Sequence, residues 1–531
     1  MAPYDFLEQI LRNMADHPAR NAFYIMDRWT TYGELAGVVA GIQSRLEAEC
    51  PLNARGAADN DTDSAGINTD TTGNDTGSAG SDHVGVWLGD DIHTYASILA
   101  LWMSGRAFVP LNPLFPEARN RKILEQVSPR VMLHSAEVEP GLLTGECRAL
   151  YTGDLEPVKG NLPRLEKFCR ERDAYVLFTS GSTGIPKGVR ISFRNLNGFV
   201  RDFIRYPAYA FTPDDRFLQI YDLSFDASVH CYTVPLAVGA SVFTVPPDGI
   251  KYLAAYRLMQ EHGLSFVKMP PSVLSYLRPH FGSINLPGLK YCLLGGEAFP
   301  SGLAREWESC VPNALIQNVY GPTEATINCM IYDWNAPGSS RKESAGTGSI
   351  GKGFGTNRVR VLGGDGKPVD PGETGELLVA GEQVSPGYWN NPGLNEKAFL
   401  VMEEEEGRVR YYRTGDLVRE DQDGDVMYLG RGDEQIQVRG YRVEMGEIES
   451  AARDFLGGLN VMACGSSGET GEVAICLAVE AERVDEANLR EYLAGQLPPY
   501  MIPGRIVPVP RFPVLVSGKL DRAALRRMLT I

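Results

Sequence analysis

The 531-residue sequence lacks the features that mark several classes of protein. Its nine cysteines form no Cys-x-x-Cys pair and have no zinc-site spacing with the seven histidines, which excludes a zinc-binding module. It has no long apolar run and no basic-then-apolar leader, so we expect no membrane partner and a cytoplasmic protein with reduced thiols. Acidic residues outnumber basic ones. The net charge of −16 argues against nucleic acid as a partner, since a phosphate backbone requires a basic face.

Composition and pattern along the chain predict how it is organised. An apolar fraction of 43% is enough for a large core, and this length predicts two or more domains. Strand-like and helix-like stretches alternate from residue 83 to about residue 345, the pattern of doubly wound α/β sheets. Short strands between Gly/Pro turns at 346–431 indicate a β-rich subdomain. We predict an α/β fold with a large N-terminal domain over residues 1–431, which includes that subdomain, and a small mobile α+β C-terminal domain over residues 432–531.

Residues 57–82 differ in composition from the rest of the chain. They consist almost wholly of Asp, Asn, Thr, Ser, Gly and Ala, with six aspartates and no basic residue. Such a segment cannot bury enough apolar surface to order itself, so we predict a disordered acidic insert. The repeated Asp-x-Asp also resembles a calcium loop, but the Glu that such a loop needs at its twelfth position is absent.

The most informative stretch is Thr-Ser-Gly-Ser-Thr-Gly-Ile-Pro-Lys-Gly at residues 179–188, directly after the apolar run 174–178. This order predicts a buried strand that leads into a loop. Glycines let the backbone approach a ligand, Lys187 supplies a cation, and hydroxyl donors come from Thr179, Ser180, Ser182 and Thr183. That combination suits an oligophosphate. It is not a Walker A loop, because Gly-Lys is not followed by Ser or Thr; a flexible Ser/Gly linker is the alternative.

Four further motifs follow in the chain: Tyr320-Gly-Pro-Thr-Glu324, Tyr412-Arg-Thr-Gly-Asp416, Gly430-Arg-Gly-Asp433 and Ser517-Gly-Lys519. With the loop, their order and rough spacing resemble the adenylate-forming superfamily. This superfamily includes acyl-CoA synthetases, luciferases and the amino-acid adenylation domains of nonribosomal peptide synthesis. The resemblance runs from about residue 20 to the C-terminus, interrupted by the insert. It implies an ATP- and Mg²⁺-dependent enzyme.

The resemblance also assigns the nucleotide contacts. It implies that Tyr320 stacks on the adenine, that Asp416 accepts both ribose hydroxyls, that Arg431 reaches the ribose or α-phosphate, and that Glu324 binds Mg²⁺. A structural ion pair between Asp416 and Arg431 is the alternative. The full expected ATP set is Thr179, Ser180, Gly181, Ser182, Thr183, Gly184, Lys187, Gly296, Glu297, Ala298, Asn318, Tyr320, Gly321, Pro322, Thr323, Asp416, Tyr428 and Arg431.

Lys519 is the expected catalytic residue. A carboxylate that attacks the α-phosphate builds negative charge, which a positioned ammonium offsets. Because Lys519 lies far along the chain from the 179–188 loop, domain closure must deliver it. The resemblance implies rotation about a hinge at Asp433, after which a thiol acceptor enters. Where the family commonly has a lysine, this chain has Gln437, which leaves open how thioester formation follows.

Asp226 is expected to bind the substrate amine. The apolar alternation around it predicts a partly buried strand or loop, where a lone carboxylate is costly unless paired. A carboxylate that caps a turn is the alternative. In the amino-acid branch of the family, the aspartate of this motif holds the amine. Matching the family's amino-acid pocket to this sequence position by position gives ten expected substrate-binding residues. They are Lys519 together with Asp226, Ala227, His230, Lys268, Leu293, Gly295, Val319, Ile327 and Asn328.

Lys268, with His230 and Asn328, suggests a substrate with a second carboxylate or an amide: aspartate- or asparagine-like, or a β-amino dicarboxylate. The alternative is that Lys268 points away and pairs with a protein acid. We predict an enzyme that makes an aminoacyl-AMP and pyrophosphate and passes the aminoacyl group to the phosphopantetheine thiol of a separate carrier protein. The alternatives are an acyl- or aryl-CoA ligase, a carrier-free amide synthetase or aminoacyl-CoA ligase, and an inactive binding or scaffold homologue.

Overall fold

The computed structural model describes residues 5–51, 82–138, 141–143, 147–158, 160–181, 184–405, 407–433, 435–467, 473–513 and 520–529. The predicted acidic insert lies outside these ranges except for Asp82, and so do Ser182, Thr183 and Lys519. All nine cysteines are free thiols. No helix in the described ranges has the length and apolar content needed to cross a membrane.

Helices in the described part of the chain begin and end close to the predicted signals. Gly263 ends one helix in the left-handed conformation, and Pro271 begins the next. The helices are α1 (Phe6–Asp16), α2 (Tyr32–Glu49), α3 (Ile92–Met103), α4 (Glu117–Val127), α5 (Phe193–Ile204), α6 (Asp226–Val238), α7 (Lys251–His262), α8 (Pro271–Leu277), α9 (Ser301–Glu308), α10 (Pro392–Ala398), α11 (Met445–Phe455), α12 (Glu486–Ala494) and α13 (Arg522–Leu529). Short 3₁₀ turns lie at Arg278–Ser283, Thr323–Ala325 and Pro499–Met501.

Two large sheets organise the N-terminal part of the described chain. The larger has the order β17-β14-β13-β12-β11-β9-β10-β1-β2, and the strands from β13 to β1 run parallel. Its strands are β1 (Asn21–Ile25), β2 (Arg28–Thr31), β9 (Arg216–Gln219), β10 (Ser241–Thr244), β11 (Phe266–Met269), β12 (Tyr291–Gly295), β13 (Leu315–Tyr320), β14 (Met330–Asp333) and β17 (Lys352–Gly353). A small hairpin beside them pairs β15 (Glu343–Ser344) with β16 (Thr347–Gly348).

The other large sheet has the order β20-β8-β7-β4-β3-β5-β6 among the described residues. β7, β4, β3, β5 and β6 are parallel, and β8 turns back antiparallel on β7. The strands are β3 (His83–Trp87), β4 (Ala107–Leu111), β5 (Val131–His134), β6 (Arg148–Tyr151), β7 (Asp173–Thr179), β8 (Lys187–Ser192) and β20 (Gly387–Tyr388). The main apolar cluster contains residues of both large sheets together with α1, α2, α3, α5 and α6.

The second half of the described chain adds a mostly antiparallel sheet and a C-terminal segment. The sheet contains β18 (Arg358–Leu362), β19 (Thr374–Ala380), β21 (Phe399–Glu404), β22 (Gly407–Glu420) and β23 (Val426–Arg431). The C-terminal segment begins with the hairpin of β24 (Gln435–Val438) and β25 (Tyr441–Glu444). It continues with a sheet of β26 (Val461–Ser467), β27 (Val473–Glu480) and β28 (Arg505–Val509). This segment has its own apolar clusters, one on each face of the β26–β28 sheet.

The described chain is therefore the predicted mixed α/β fold. Strands β7, β9, β12 and β13 end at residues that precede or belong to the predicted site. In open parallel sheets, ligands bind beyond the carboxyl ends of the strands. The fold thus gathers the glycine loop, Asp226 and Glu324 at that edge.

Candidate active site

The glycine loop, residues 180–186, connects β7 to β8. Lys187 is the first residue of β8 and is half-buried. A side chain at Gly181 would meet the backbone of Ile185, whose oxygen would lie 2.0 Å from the added Cβ. Gly184 has a φ of +78°, a conformation that favours glycine. The backbone of the loop therefore requires glycine at both positions.

The hairpin of residues 435–444, which we call the docked hairpin, lies against the glycine loop. Glu444 accepts a 2.8 Å hydrogen bond from Lys187 Nζ. The Glu444 backbone N–H donates to Ser180 Oγ at 3.1 Å, and that hydroxyl donates to the Arg442 carbonyl at 3.0 Å. A carboxylate of the protein thus contacts the cation that the sequence assigns to ATP phosphate.

The helix after the docked hairpin adds a second carboxylate. Glu447, in the first turn of α11, accepts from the Gly181 N–H at 3.1 Å. It also pairs with Arg119 at 2.7 Å, and both side chains are almost fully buried. Backbone N–H groups of such loops donate hydrogen bonds to bound anions, so the Glu447 carboxylate lies where a phosphate oxygen is expected.

Glu324 lies in the 3₁₀ turn Thr323–Ala325 and is fully buried. Tyr388 Oη donates to its Oε1 at 2.6 Å, and Arg442 Nη1 lies 2.8 Å from its Oε2. Burial favours a higher pKa for Glu324, but the positive charges of Arg442 and Lys187 outweigh it and lower that pKa to about 2. Glu324 is therefore an ionised carboxylate that pairs with Arg442, and its oxygens are the hard ligands that Mg²⁺ prefers.

Asp416 and Arg431 face each other across β22 and β23, and Arg431 Nη1 donates to Asp416 Oδ1 at 2.8 Å. Tyr320 Oη also donates to Asp416, and Arg431 Nε donates to Asp433, the predicted hinge residue, at 2.7 Å. Burial raises the pKa of Asp416, although Arg431 and Tyr320 oppose the shift. The structure thus contains the ion pair that the sequence offered as the alternative to a ribose contact.

The other predicted nucleotide residues lie around these groups. Asn318 Nδ2 donates to the Ser349 carbonyl at 2.8 Å, so part of its amide is committed to the protein. In the orientation that satisfies its amide, Gln437 donates to the Gly296 carbonyl at 3.1 Å. The remaining residues lie in the glycine loop, at the ends of β7, β12 and β13 or in β23: Thr179, Gly184, Glu297, Ala298, Gly321, Pro322, Thr323 and Tyr428.

Asp226 is the first residue of α6, so the predicted strand or loop around it is wrong. Phe225 before it is extended and forms the N-cap, and the apolar alternation comes from this entry into the helix. The Thr323 side chain reaches the Asp226 carboxylate, whereas Asp226 Oδ2 is buried without a partner among the described residues. Burial raises the pKa of Asp226 to about 6, against the effect of Lys268. An unpartnered buried oxygen is costly, so this end of the pocket needs a donor.

Lys268 lies in β11 and is 2% exposed. In the orientation that satisfies the Asn328 amide, Lys268 Nζ donates to Asn328 Oδ1 at 3.1 Å; the ammonium lies 5.8 Å from the centre of the Tyr221 ring. No carboxylate of the described residues forms an ion pair with Lys268, so the structure lacks the internal pairing considered as the alternative. Burial lowers the pKa of Lys268 to about 8, although Cys231 and Asp226 oppose the shift.

His230 and Tyr221 contribute two further polar atoms that lack partners in the described ranges. His230 is fully buried and its ring lies 4.3 Å from that of Phe203. Burial lowers the pKa of His230 well below its usual value, so the ring is neutral. Its Nε2 is buried and has no partner among the described residues. Tyr221 Oη is also buried and unpartnered. The other predicted pocket residues form apolar or backbone surface next to these groups: Ala227 in α6, Leu293 and Gly295 in β12, Val319 in β13, and Ile327.

Gln383 holds the turn between Glu324 and Asn328, and the sequence analysis missed it. Thr326 and Ile327 in this turn have φ values of +55° and +72°, which strains β-branched residues. Gln383 Nε2 donates to the carbonyls of Asn328 at 2.7 Å and Thr326 at 3.1 Å. No sequence motif surrounds Gln383. Other contact residues were missed for the same reason: Arg119, Tyr221, Tyr388, Arg442, Glu444 and Glu447.

Lys519 lies outside the described residues. Its neighbours Phe512 and Leu520 pack with α13 on one face of the β26–β28 sheet. Val438 and Val443 of the docked hairpin pack on the opposite face. In this structure the docked hairpin lies against the glycine loop. Phe512 and Leu520 lie on the other face of the β26–β28 sheet.

Comparisons with known proteins identify the family and the fold. A family model described as AMP-binding enzyme matches residues 75–389. The dimodular nonribosomal peptide synthase of Bacillus subtilis is 31% identical over 446 residues, which is 81% of this chain but 18% of that protein. PA1221, a protein solved with adenylation and PCP domains, has a TM-score of 0.81 and 24% identity, covering 99% of this chain and 84% of that chain. Vibrio cholerae AlmE, solved with glycyl-adenosine-5'-phosphate, has a TM-score of 0.80 and 22% identity over 99% and 97% of the two chains.

The fold and the site together define an α/β protein in which a hydroxyl- and glycine-rich loop joins two antiparallel strands. The chain belongs to the AMP-binding enzyme family, that is, to the adenylate-forming superfamily, with nonribosomal peptide synthetase adenylation domains among its relatives. This confirms the predicted superfamily. The similarity to PA1221 and AlmE shows the fold, and the chain spans less than a fifth of the B. subtilis relative.

Proposed function

We propose that the protein activates an amino acid with ATP, forming an aminoacyl-AMP and pyrophosphate. The observation that carries the proposal is the adjacency of Thr323 and Glu324. Thr323 reaches the Asp226 carboxylate, and Glu324 is an ionised oxygen donor within electrostatic reach of Lys187. One dipeptide thus joins the amine-binding end of the site to the phosphate-binding end. Such juxtaposition of two substrates is what adenylate formation requires.

The chemistry follows from these positions. A carboxylate oxygen of the substrate attacks the α-phosphorus of ATP, the bond to the bridging oxygen of the β-phosphate breaks, and pyrophosphate leaves. Lys187 and the glycine-loop N–H groups would hold the leaving phosphates. Glu324 would hold Mg²⁺, which neutralises phosphate charge when bound. We assign Lys519 to the negative charge that builds at the α-phosphate, delivered by rotation about Asp433.

We propose that the aminoacyl group then passes to the phosphopantetheine thiol of a separate carrier protein in the cytoplasm. The thiolate attacks the carbonyl carbon, and AMP leaves. The similarity to PA1221, which contains adenylation and PCP domains, supports a carrier as acceptor. The position of the docked hairpin supports a second arrangement of the C-terminal segment for this step, different from the one that would deliver Lys519. In this second arrangement, Glu444 and Glu447 contact the groups that would bind phosphate.

For the substrate, we propose an amino acid with a second carboxylate or an amide: aspartate, asparagine or a β-amino dicarboxylate. The buried Lys268 ammonium supports this, because its contacts within the described residues are an amide and an aromatic face. The Asp226 carboxylate acts on it electrostatically but forms no ion pair with it. An unpaired buried ammonium is costly, and a substrate carboxylate would remove that cost. Asp226 would bind the α- or β-ammonium group at the other end of the pocket.

Amino-acid-dependent ATP–pyrophosphate exchange tests the proposed function. The screen covers the proteinogenic amino acids, β-amino acids and simple carboxylic acids. We expect exchange to depend on an amine, with aspartate, asparagine or a β-amino dicarboxylate among the best substrates. Exchange supported only by amine-free acids would instead assign the protein to the acyl- or aryl-CoA ligases.

The same assay tests the assignment of Lys519. Lys519→Ala should lower exchange by about 10²- to 10³-fold, the usual effect of losing one group that stabilises developing charge, while ATP binding is retained. Lys367→Ala, at an exposed turn, is the matched control and should behave as wild type. Wild-type exchange by Lys519→Ala would remove the proposed catalytic role.

A further inference from the structure

Four aromatic rings meet between the C-terminal segment and the start of α6. Tyr441 of the docked hairpin stacks on Tyr500, with ring centroids 4.1 Å apart and planes 5° from parallel. Phe225 meets Tyr441 edge-on at 4.7 Å, and Tyr500 lies 6.0 Å from Phe225 and 6.1 Å from Phe115. We call these four rings the aromatic lid. All four are half-buried.

The two halves of the aromatic lid belong to different parts of the chain. Tyr441 and Tyr500 pack against the apolar cluster of the C-terminal segment. Phe225 is the N-cap of α6, and Phe115 lies between β4 and α4. Since one half belongs to the C-terminal segment and the other to the N-terminal part, the lid exists only while the docked hairpin lies against the N-terminal part. The stacked geometry is one that aromatic pairs prefer.

A buried ion pair also joins the two parts of the chain that carry the aromatic lid. Arg119 lies 5.7 Å from the Phe115 ring centre, and its Nη1 is 2.7 Å from Glu447 in α11. Glu447 comes shortly after the docked hairpin, so the pair fixes the hairpin relative to Phe115. This ion pair and the lid thus act at neighbouring points of the same interface.

The aromatic lid lies at the amine-binding end of the pocket. Phe225 immediately precedes Asp226 in the chain, and its ring contacts Tyr441. Phe225 thus links the start of α6, where Asp226 lies, to the tyrosine rings of the C-terminal segment. Burial raises the pKa of Tyr441 to about 12, with the nearby Asp222 carboxylate adding to the shift, so this hydroxyl stays neutral.

We propose that the aromatic lid shields the aminoacyl-adenylate from water while the docked hairpin is in place, and that the Tyr441–Tyr500 stack keeps it closed. This inference rests on the proposed function. In the reaction that the lid prevents, the oxygen of water attacks the carbonyl carbon and the bond from that carbon to the phosphate oxygen breaks. AMP leaves with the electron pair, a proton passes to solvent, and the free amino acid is regenerated. Excluding water from a reactive intermediate is a recognised role of site closure.

Acceptor-free AMP release tests the inference, measured beside ATP–pyrophosphate exchange with the best amino acid of the screen and Mg²⁺. Tyr500→Leu should raise AMP release roughly three- to tenfold, the factor that one aromatic pair supplies, with exchange within about twofold of wild type. Tyr500→Phe keeps the stack and should match wild type. Tyr492→Leu is the matched control, because it loses a 5.0 Å ring contact with Phe455 elsewhere in the same segment.

The outcomes separate the two proposals. Wild-type AMP release by Tyr500→Leu, with exchange intact, overturns the lid and leaves the proposed function standing. Absence of amino-acid-dependent exchange in the wild type overturns the proposed function and the lid with it. If Tyr500→Leu does not fold, Tyr441→Leu removes the same stack from the hairpin side, and unchanged AMP release in that variant also overturns the lid.

Discussion

The two ends of the site differ in how their charges are satisfied. At the nucleotide end, Lys187 is paired with Glu444, and Glu324 with Arg442. At the amino-acid end, Asp226 Oδ2 and His230 Nε2 are buried and have no partner within the described residues. Both ends lie at the same edge of the sheets, and among the described residues only the charges of the nucleotide end are joined in ion pairs.

This difference indicates which charges a ligand would have to supply at each end. The docked hairpin brings carboxylates to the phosphate-binding groups and a guanidinium to the metal-binding carboxylate, so it supplies the charges that ATP and Mg²⁺ would supply. Nothing in the C-terminal segment pairs with Lys268 among the described residues. Under the proposed function, the nucleotide end would exchange its protein partners for ATP and Mg²⁺, whereas the amino-acid end would be completed by the substrate. Changing one charged group at each end tests this contrast.

Of the changes that test this contrast, Lys268→Met should have the largest effect. It removes the ammonium and keeps the length of the side chain. Exchange with the preferred dicarboxylic or amide amino acid should fall about a hundredfold, the usual effect of truncating one partner of a buried charge pair. Exchange with alanine should change little, because alanine has no group for Lys268 to bind. The measurement is the ratio of the two kcat/KM values in the exchange assay.

A stability measurement separates a binding role of Lys268 from a structural one. Because the buried ammonium forms no ion pair in the described ranges and its pKa is lowered by burial, its loss should leave the unfolding temperature unchanged or raise it. Lys290→Met removes a lysine that does pair with an aspartate, Asp215 at 2.8 Å, and should lower that temperature. A stability loss for Lys268→Met with an unchanged substrate ratio would contradict the contrast between the two ends.

A smaller effect is expected at the nucleotide end from Glu444→Gln. The amide removes the negative charge that competes with ATP phosphate for Lys187, so the KM for ATP in exchange should fall about two- to fivefold. Aminoacyl transfer to an acceptor should slow, since the docked hairpin is then held less firmly. Glu482→Gln, an exposed position in the same segment, is the control. An unchanged KM would show that Glu444 and ATP do not compete.

Site residues that stand in short, contiguous motifs could be singled out from the sequence, whereas those that contact them from far along the chain could not. Lys187, Glu324 and Asp226 stand in compact motifs, because each is positioned by the strand end or turn in which it lies. Arg442 contacts Glu324 from 118 residues away, and no local pattern marks such a partner. The helix that begins at Asp226 was mistaken for a strand or loop because the extended Phe225 precedes it, and a period of two continues into the first helical turn.

Asp226→Asn tests the amino-acid end through its effect on stability. Burial raises the pKa of the Asp226 carboxyl in the folded protein to about 6, above its unfolded value of 3.8. Between those values the folded state binds more protons than the unfolded state, so the stability that Asp226 contributes falls as pH rises from about 4 to 6. At pH 7.5 the carboxylate therefore destabilises the empty protein by about 1–3 kcal/mol. The neutral amide of the variant carries no such cost.

The unfolding temperature of Asp226→Asn should therefore exceed that of the wild type at pH 7.5, and the difference should shrink towards zero near pH 4. Asp365→Asn, at an exposed turn, should show no such pH-dependent difference. An ammonium-bearing substrate should reduce the advantage at pH 7.5, because it pairs with the wild-type carboxylate and stabilises only that protein. A lower unfolding temperature for the variant at pH 7.5 would mean that the protein already pairs this carboxylate, and the amino-acid end would then resemble the nucleotide end.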